Sequence, residues 1–146
     1  MTKKKHVRLI KFFRMGSFPP MLMISFGFSY DEIIAHLKKY KAKEWIKGIY
    51  GEKEFIDKSK YCGLHREIVE TKTEEPVKNL YYLIFTEEFL FTDYSYSILA
   101  HEVLHVVQFA LGPILDIRKE FEAFAYTHTY IMNECLKSIR STKKSK

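Results

Sequence analysis

The stretch from Ile98 to Leu111 constrains the fold of this chain more than any other segment. Most of its residues are apolar, and a helix that is apolar on every side is typical of a buried helix. The following Gly112-Pro113 pair predicts where this helix ends. The polar residues of the stretch are His101, Glu102, His105 and Gln108.

Three of these polar residues form the pattern His101-Glu102-x-x-His105. Residues four apart lie one above the other on a helix, so two imidazoles at this spacing can bind one zinc ion. Glu102 follows the first histidine, and its carboxylate can reach a water on that ion without being a ligand. The pattern therefore predicts two zinc ligands and one general base, the arrangement of a metal-dependent hydrolase.

A simpler alternative is that these residues are core histidines and a core glutamate with ordinary partners. The chain has 6 His and 18 Asp or Glu among 146 residues, so the bare pattern is expected about 0.03 times by chance. The apolar setting favours the metal site, because a buried charge needs a partner and this helix offers Glu102 no basic neighbour. We expect the helix to be buried and its histidines to converge. A structure that leaves both histidines in solvent would contradict the metal site.

The net charge of +6 comes from the two ends of the chain. Residues 1–14 carry six Lys or Arg and residues 137–146 carry five, with no acid in either segment. The rest holds 13 basic and 18 acidic residues. We expect one domain over residues 1–146 with disordered basic tails at about 1–5 and 138–146, dispensable for folding. Nucleic-acid binding is not expected except through these tails.

The cysteines and the apolar runs indicate where the protein resides. Cys62 and Cys135 form no paired motif, which favours a reducing compartment. Arg8, Lys11 and Arg14 interrupt the apolar residues near the N-terminus, so we expect no signal peptide, and no run is long enough for a membrane span. We expect a soluble cytoplasmic protein without membrane contact. The sequence leaves its oligomeric state open.

The remaining segments predict an α+β fold with a short antiparallel sheet. Strands are expected at residues 7–13 and 21–28, and an antiparallel hairpin at 64–69 and 79–85 with a turn at 72–76. A capping box at Ser29 and Glu32 predicts a helix that continues, or restarts, through Tyr50, with its lysines in solvent. Residues 52–61 read as a loop. Asp93 or Ser95 is the expected N-cap of the motif helix, and a long C-terminal helix is expected from about Arg118 to Leu136.

A catalytic zinc usually has three protein ligands and a water, and the C-terminal helix must supply the third ligand. Glu122 lies at the border of an apolar stripe expected at Phe121, Phe124, Ala125, Met132 and Cys135. His128 lies within that stripe and competes with Glu122, although a lone histidine there is more simply a hydrogen-bonded core residue. Glu120 is the weakest candidate because it projects from the other side of the helix.

The sequence from Ala100-His101-Glu102-x-x-His105-x-Val107 to Glu122-x-x-Ala125-Tyr126 resembles the small zincin-like metallopeptidases of phages and prophages. The similarity covers roughly residues 79–136 and includes the segments 81–85 and 94–97 that precede the motif. It implies a compact gluzincin-type fold in which Glu122 is the third zinc ligand. For many of these relatives the peptidase activity is itself inferred from the motif.

These features lead to one preferred function and two alternatives. We expect a zinc metallopeptidase in which His101, His105 and Glu122 hold Zn²⁺ and Glu102 shuttles the proton. Tyr126 or Tyr130 is the candidate oxyanion donor, and a peptide substrate is expected to add to the edge of the 64–85 hairpin. A non-enzymatic virion or host-interaction protein with a retained zincin fold is the first alternative, favoured by a closed zinc site. Nucleic-acid binding through the tails is the second.

Overall fold

The fold was obtained as a computed structural model that describes residues 6–16, 18–41, 45–46, 64–68, 81–86 and 88–144. Several sequence expectations therefore lie outside the described residues: the basic segment 1–5, most of the helix extension through Tyr50, the loop 52–61 and the turn 72–76.

A four-stranded sheet with the strand order β1-β2-β4-β3 forms the centre of the fold. β1 and β2 pair antiparallel across a tight turn at Gly16, which has a φ of 62° that glycine adopts without strain. β3 and β4 pair antiparallel, which confirms the predicted hairpin. The strands are β1 (Leu9–Met15), β2 (Phe18–Phe26), β3 (Leu64–Ile68) and β4 (Tyr81–Thr86).

The central pair, β2 and β4, is parallel, so the prediction of a purely antiparallel sheet is wrong. The register runs from Met21 opposite Tyr81 to Phe26 opposite Thr86. Parallel neighbours need a crossover connection instead of a hairpin, and here a helix lies between the two strands along the chain. The sequence patterns identify the strands but not their relative directions, because a buried strand has the same apolar pattern whether its neighbour is parallel or antiparallel.

The three helices in the described part of the chain pack on the two faces of this mixed sheet. α1 lies on one face, where Ile33 and Leu37 pack against Met23, Leu83 and Phe85. α2 and α3 cover the opposite face, and their apolar residues join those of the sheet in the larger core. The helices are α1 (Tyr30–Lys39), α2 (Asp93–Leu111) and α3 (Phe121–Lys144). Successive side chains along β2 and β4 point to opposite faces of the sheet, so each of these strands contributes residues to both cores. The chain is therefore a mixed α+β protein.

The beginnings of α1 and α2 follow capping rules. α1 has the predicted capping box, in which the Ser29 hydroxyl accepts from the Glu32 amide and the Glu32 carboxylate accepts from the Ser29 amide. α2 begins one residue earlier than expected, because Thr92 is its N-cap and accepts from the amide of Ser95. Asp93 is then in the first turn, where its charge suits the helix dipole.

α3 differs from its prediction at both ends. It begins at Phe121, and it continues to Lys144 through the segment expected to be a disordered tail. Ile139 is fully buried in the core, and Ser138 is also buried. The high lysine content suggested a solvated tail, but the apolar spacing of Ile131, Cys135 and Ile139 continues the buried stripe.

The surface lysines behave as expected where they are described. Lys38, Lys39 and Lys41 are exposed at the end of α1, which confirms a solvated face, while Lys43 lies outside the described residues. None of the helices in the described part of the chain has the length and apolarity needed to cross a membrane.

Candidate metal centre

α2 buries one face and exposes the other. Leu99, Val103, Val106 and Ala110 recur at helical spacing on the buried side, packed in the larger core. The prediction that this helix is buried on every side is wrong, because only one side meets the sheet and α3. The exposed side carries His101, Leu104, Gln108 and Phe109, with a half-buried His105 among them.

The two motif histidines converge on this exposed side, as the sequence predicts. The Nε2 atoms of His101 and His105 lie 3.0 Å apart, and the ring centroids are 4.5 Å apart. At this distance one neutral imidazole donates its Nε2–H to the lone pair of the other. The helix spacing alone produces this convergence, because residues i and i+4 share a face.

The histidine pair fits zinc as two of its ligands. A tetrahedral ion with zinc-to-nitrogen distances of about 2.0–2.1 Å holds two nitrogens about 3.3 Å apart. The observed Nε2 separation is 3.0 Å, so a small rotation of either ring suffices to admit the ion. Metal binding then requires each ring to carry its proton on Nδ1. His101 is exposed and His105 half-buried, so one histidine, not both, lies in solvent.

Glu102 differs from its neighbours because it is buried, with only 8% of its surface exposed. It directly follows His101 on α2, at the border between the buried face and the exposed face. Glu102 is therefore largely protected from bulk water and adjoins His101 in the sequence. Protection from bulk water suits a residue that exchanges a proton with a reacting water.

The structure does not gather a third ligand beside the histidines. Within the described residues, no three His, Cys, Asp or Glu side chains are grouped so that they could hold a metal ion. Glu122 is exposed in the first turn of α3, and Glu120 is exposed just before that helix. Phe121 and Ala125, expected in the apolar stripe, are also exposed, so the buried stripe of α3 was wrongly placed at this end.

His128 makes a hydrogen bond to the backbone of the motif helix. Its Nε2 lies 3.1 Å from the carbonyl oxygen of Ala100, and a carbonyl only accepts, so Nε2 donates. The simpler sequence interpretation of His128, a hydrogen-bonded residue between packed elements, is confirmed for this nitrogen. A nitrogen that carries a proton for this bond has no lone pair for a metal.

The candidate oxyanion donors lie on the solvent side of α3. Tyr126 is 72% exposed and follows Glu122 by one turn, so the two residues share a helix face. Tyr130 is 43% exposed and lies one turn further on. Neither position is fixed by packing, and their role stays a prediction.

A cleft that the sequence interpretation missed begins one helical turn after His105. It has a volume of about 570 Å³ and lies where α2 ends and the chain reverses toward α3. Its lining combines apolar side chains with a comparable share of polar surface, to which Gln108 and Asp116 contribute. The lining residues are Gln108, Gly112, Pro113, Ile114, Leu115, Asp116, Ile117 and Phe124. The apolar Ile114-Leu115-x-Ile117 sequence between two helices was the available signal.

Comparisons with protein-family models, with curated proteins and with solved structures gave no match to this chain.

Proposed function

We propose that this protein is a zinc-dependent hydrolase, specifically a metallopeptidase. The observation that carries the proposal is the 3.0 Å approach of the Nε2 atoms of His101 and His105, with the buried Glu102 directly after His101 on the same helix. The resemblance of the motif to small zincin-like metallopeptidases of phages supports the same function. A cytoplasmic location follows from this reading of the sequence and belongs to the proposal.

Glu122 is the third ligand in this proposal. α3 runs back along α2, because His128 in the first third of α3 bonds Ala100 in α2, while Lys143 near the end of α3 lies over the ring of Phe91 just before α2. The first turn of α3 is therefore on the side of the C-terminal half of α2, where His105 lies. Glu122 is exposed, so its side chain has rotational freedom to approach the metal when zinc binds.

Each residue has a distinct task in peptide hydrolysis. Zinc, when bound, acts as a Lewis acid that lowers the pKa of a water ligand to about 7 and polarises the peptide carbonyl. Glu102 accepts the proton of the attacking water and delivers it to the leaving amine. Tyr126 donates a hydrogen bond to the oxygen on which negative charge develops, from the same face of α3 as Glu122.

The edge strand β3 gives the substrate a place to bind. β3 is the last strand in the order of the described sheet, and it packs against α2. An extended peptide that adds to this edge would run beside the helix that carries the histidines. Backbone hydrogen bonds of this kind bind peptides with little regard to sequence, so side-chain selection needs another surface.

Metal content and hydrolysis of the wild type and of Glu102→Gln test the proposal. The wild type should bind close to one zinc per chain, measured by atomic emission after dialysis, and should cleave an unfolded protein substrate. Glu102→Gln keeps the three ligands, so its zinc content should remain unchanged while hydrolysis falls by roughly 10²-fold or more. A wild type without zinc affinity would refute the enzyme reading.

A non-enzymatic interaction protein is the second candidate, and the surface around the histidines favours it. Large apolar residues are exposed there, including Leu104 and Phe109 on α2. Exposed apolar patches often mark contact surfaces for other proteins. This candidate predicts that the protein retains zinc, that the zinc has no exchangeable water ligand, and that no peptide hydrolysis is detected. Binding through the basic ends of the chain instead predicts an affinity for nucleic acid that falls steeply with salt and that is lost on removing residues 1–5 and 140–146, a deletion that keeps the buried Ile139.

A further inference from the structure

Among the residues that the structure describes, five of the large exposed apolar side chains follow the first motif histidine between Leu104 and Phe121. These five are 44–60% exposed, and they occupy the end of α2, the segment that reverses the chain, and the start of α3. They are Leu104, Phe109, Ile114, Ile117 and Phe121. Exposing large apolar side chains to water is unfavourable, so a ligand that covers them would bind with a favourable hydrophobic contribution.

The cleft lined by Ile114, Ile117 and Phe124 is the concave part of this apolar surface. Its volume of about 570 Å³ is within the range of pockets that bind small molecules or side chains. Its walls are ordered by backbone hydrogen bonds, since the amides of Ile114 and Leu115 both donate to the carbonyl of Leu111. Asp116 adds a second fixed point, because its carbonyl accepts from Lys119 and Glu120.

The distance from the histidines to the cleft matches a peptide residue. Gln108, which lines the cleft, follows His105 by three residues, a rise of about 4.5 Å along the helix. An extended peptide advances about 3.3 Å per residue. A peptide that runs along α2 with its scissile bond at the histidines would therefore place a side chain one or two residues away at the mouth of the cleft.

We propose that this cleft is the specificity pocket of the hydrolase, and that it selects peptides with a large apolar side chain within two residues of the scissile bond. The proposal rests on the proposed function for its chemistry, but the cleft and its lining do not depend on zinc. The lining favours leucine-, isoleucine-, methionine- or phenylalanine-sized groups. Oδ1 of Asp116 accepts from the backbone amide and Nε of Arg118, so the negative charge in this lining already has a basic neighbour.

Two measurements test the pocket separately from the hydrolysis. Blocked tripeptides with a central phenylalanine or a central alanine are titrated into metal-free protein, and amide shifts are followed by NMR. The phenylalanine peptide should bind at least about tenfold more tightly, and it should shift the amides of Ile114 and Ile117. Zinc-loaded wild type is then given a reduced, unfolded protein, and cleavage positions are mapped by mass spectrometry. Cuts should cluster within two residues of large apolar side chains.

The double variant Ile114→Ser/Ile117→Ser should lose the preference for phenylalanine while keeping its zinc. Tyr40→Ser on α1 is the control, because it also removes an exposed apolar ring but on the other side of the sheet. If the protein hydrolyses peptides without side-chain preference and the cleft amides do not shift, the proposed specificity pocket is refuted while the proposed hydrolase activity stands. If the protein binds the phenylalanine peptide but neither binds zinc nor hydrolyses peptides, the apolar pocket stands and the proposed hydrolase activity is refuted. A dimer that the double variant dissociates would assign this surface to a second copy instead.

Discussion

The imidazole of His128 donates a hydrogen bond to the carbonyl of Ala100, over 3.1 Å, and thereby joins α3 to the motif helix beside His101. Ala100 directly precedes the first histidine of the motif, so this bond acts on the backbone that positions the proposed zinc ligands. The helices α2 and α3 also pack through apolar residues, but apolar packing does not specify rotation as a hydrogen bond does. His128 is therefore a positioning residue in our interpretation.

Replacing Glu122 and His128 by alanine should separate ligand from positioning residue. Glu122→Ala removes a proposed ligand, so zinc affinity should fall by at least tenfold in a competition titration with a chromogenic chelator. His128→Ala removes a half-buried hydrogen bond, which should lower the free energy of unfolding by about 1 kcal/mol, with a smaller effect on zinc.

Glu120→Ala is the matched control for both variants, since Glu120 is an exposed carboxylate two residues from Glu122. It should change neither zinc affinity nor stability. If Glu122→Ala retains stoichiometric zinc and His128→Ala does not, the assignment of the third ligand is wrong.

The sequence predicted the motif helix and the convergence of its histidines because both depend on local spacing. The capping box at Ser29 and the hairpin of β3 and β4 were predicted for the same reason. The parallel pairing of β2 and β4 could not be read from the chain, because it depends on contacts between distant segments. The apolar pattern cannot distinguish a helix buried on all sides from one whose exposed side carries a site.

The exposed Leu104 and Phe109 illustrate why part of the site was missed. Both are apolar, so sequence reasoning assigns them to the core, yet only one side of α2 meets the sheet and α3. The cleft after Gln108 arises where the chain reverses between two helices, and its shape depends on how those helices pack. Glu122 was selected because it borders the apolar stripe and because the resemblance implies a downstream glutamate ligand.

The capping box predicts a pH-dependent contribution to stability from Glu32. Its pKa is lowered by the hydrogen bond from the Ser29 amide and by the Arg8 guanidinium, 2.7 Å from its carboxylate. A lowered pKa stabilises the fold above the unfolded pKa, and this contribution is lost as the pH falls through the folded value. In urea titrations, Glu32→Gln should therefore be less stable than wild type at pH 7 and nearly equal to it at pH 3.

Ser29→Ala removes the hydroxyl that accepts from the Glu32 amide, and it should cost about 1 kcal/mol at pH 7. Ser97→Ala, an exposed serine within α2, is the control and should have little effect. Equal stability of Ser29→Ala and wild type would show that the capping box contributes nothing.

The thiol of Cys135 should be unreactive in the native protein. Cys135 is fully buried in the larger core, and burial raises its pKa to about 12, with a smaller contribution from Glu134. Thiolate is the reactive form, so at pH 8 a Cys62→Ser variant should not react with a disulfide reagent until guanidinium unfolds it. Labelling of the folded variant at the rate of a free thiol would show that α3 opens locally.

The C-terminal part of α3 should contribute to stability, although its composition predicts a dispensable tail. Ile139 is fully buried, so Ile139→Ala should lower the free energy of unfolding by about 2–5 kcal/mol, measured by urea denaturation. The exposed neighbour Arg140→Ala should change it little. Deletion of residues 140–146 keeps Ile139 but removes Lys143, whose ammonium lies 4.5 Å from the ring of Phe91, so it should cost about 1 kcal/mol. If Ile139→Ala has the stability of the wild type, residues beyond 138 do not pack on the sheet, and the solvated tail expected from the sequence is the better description.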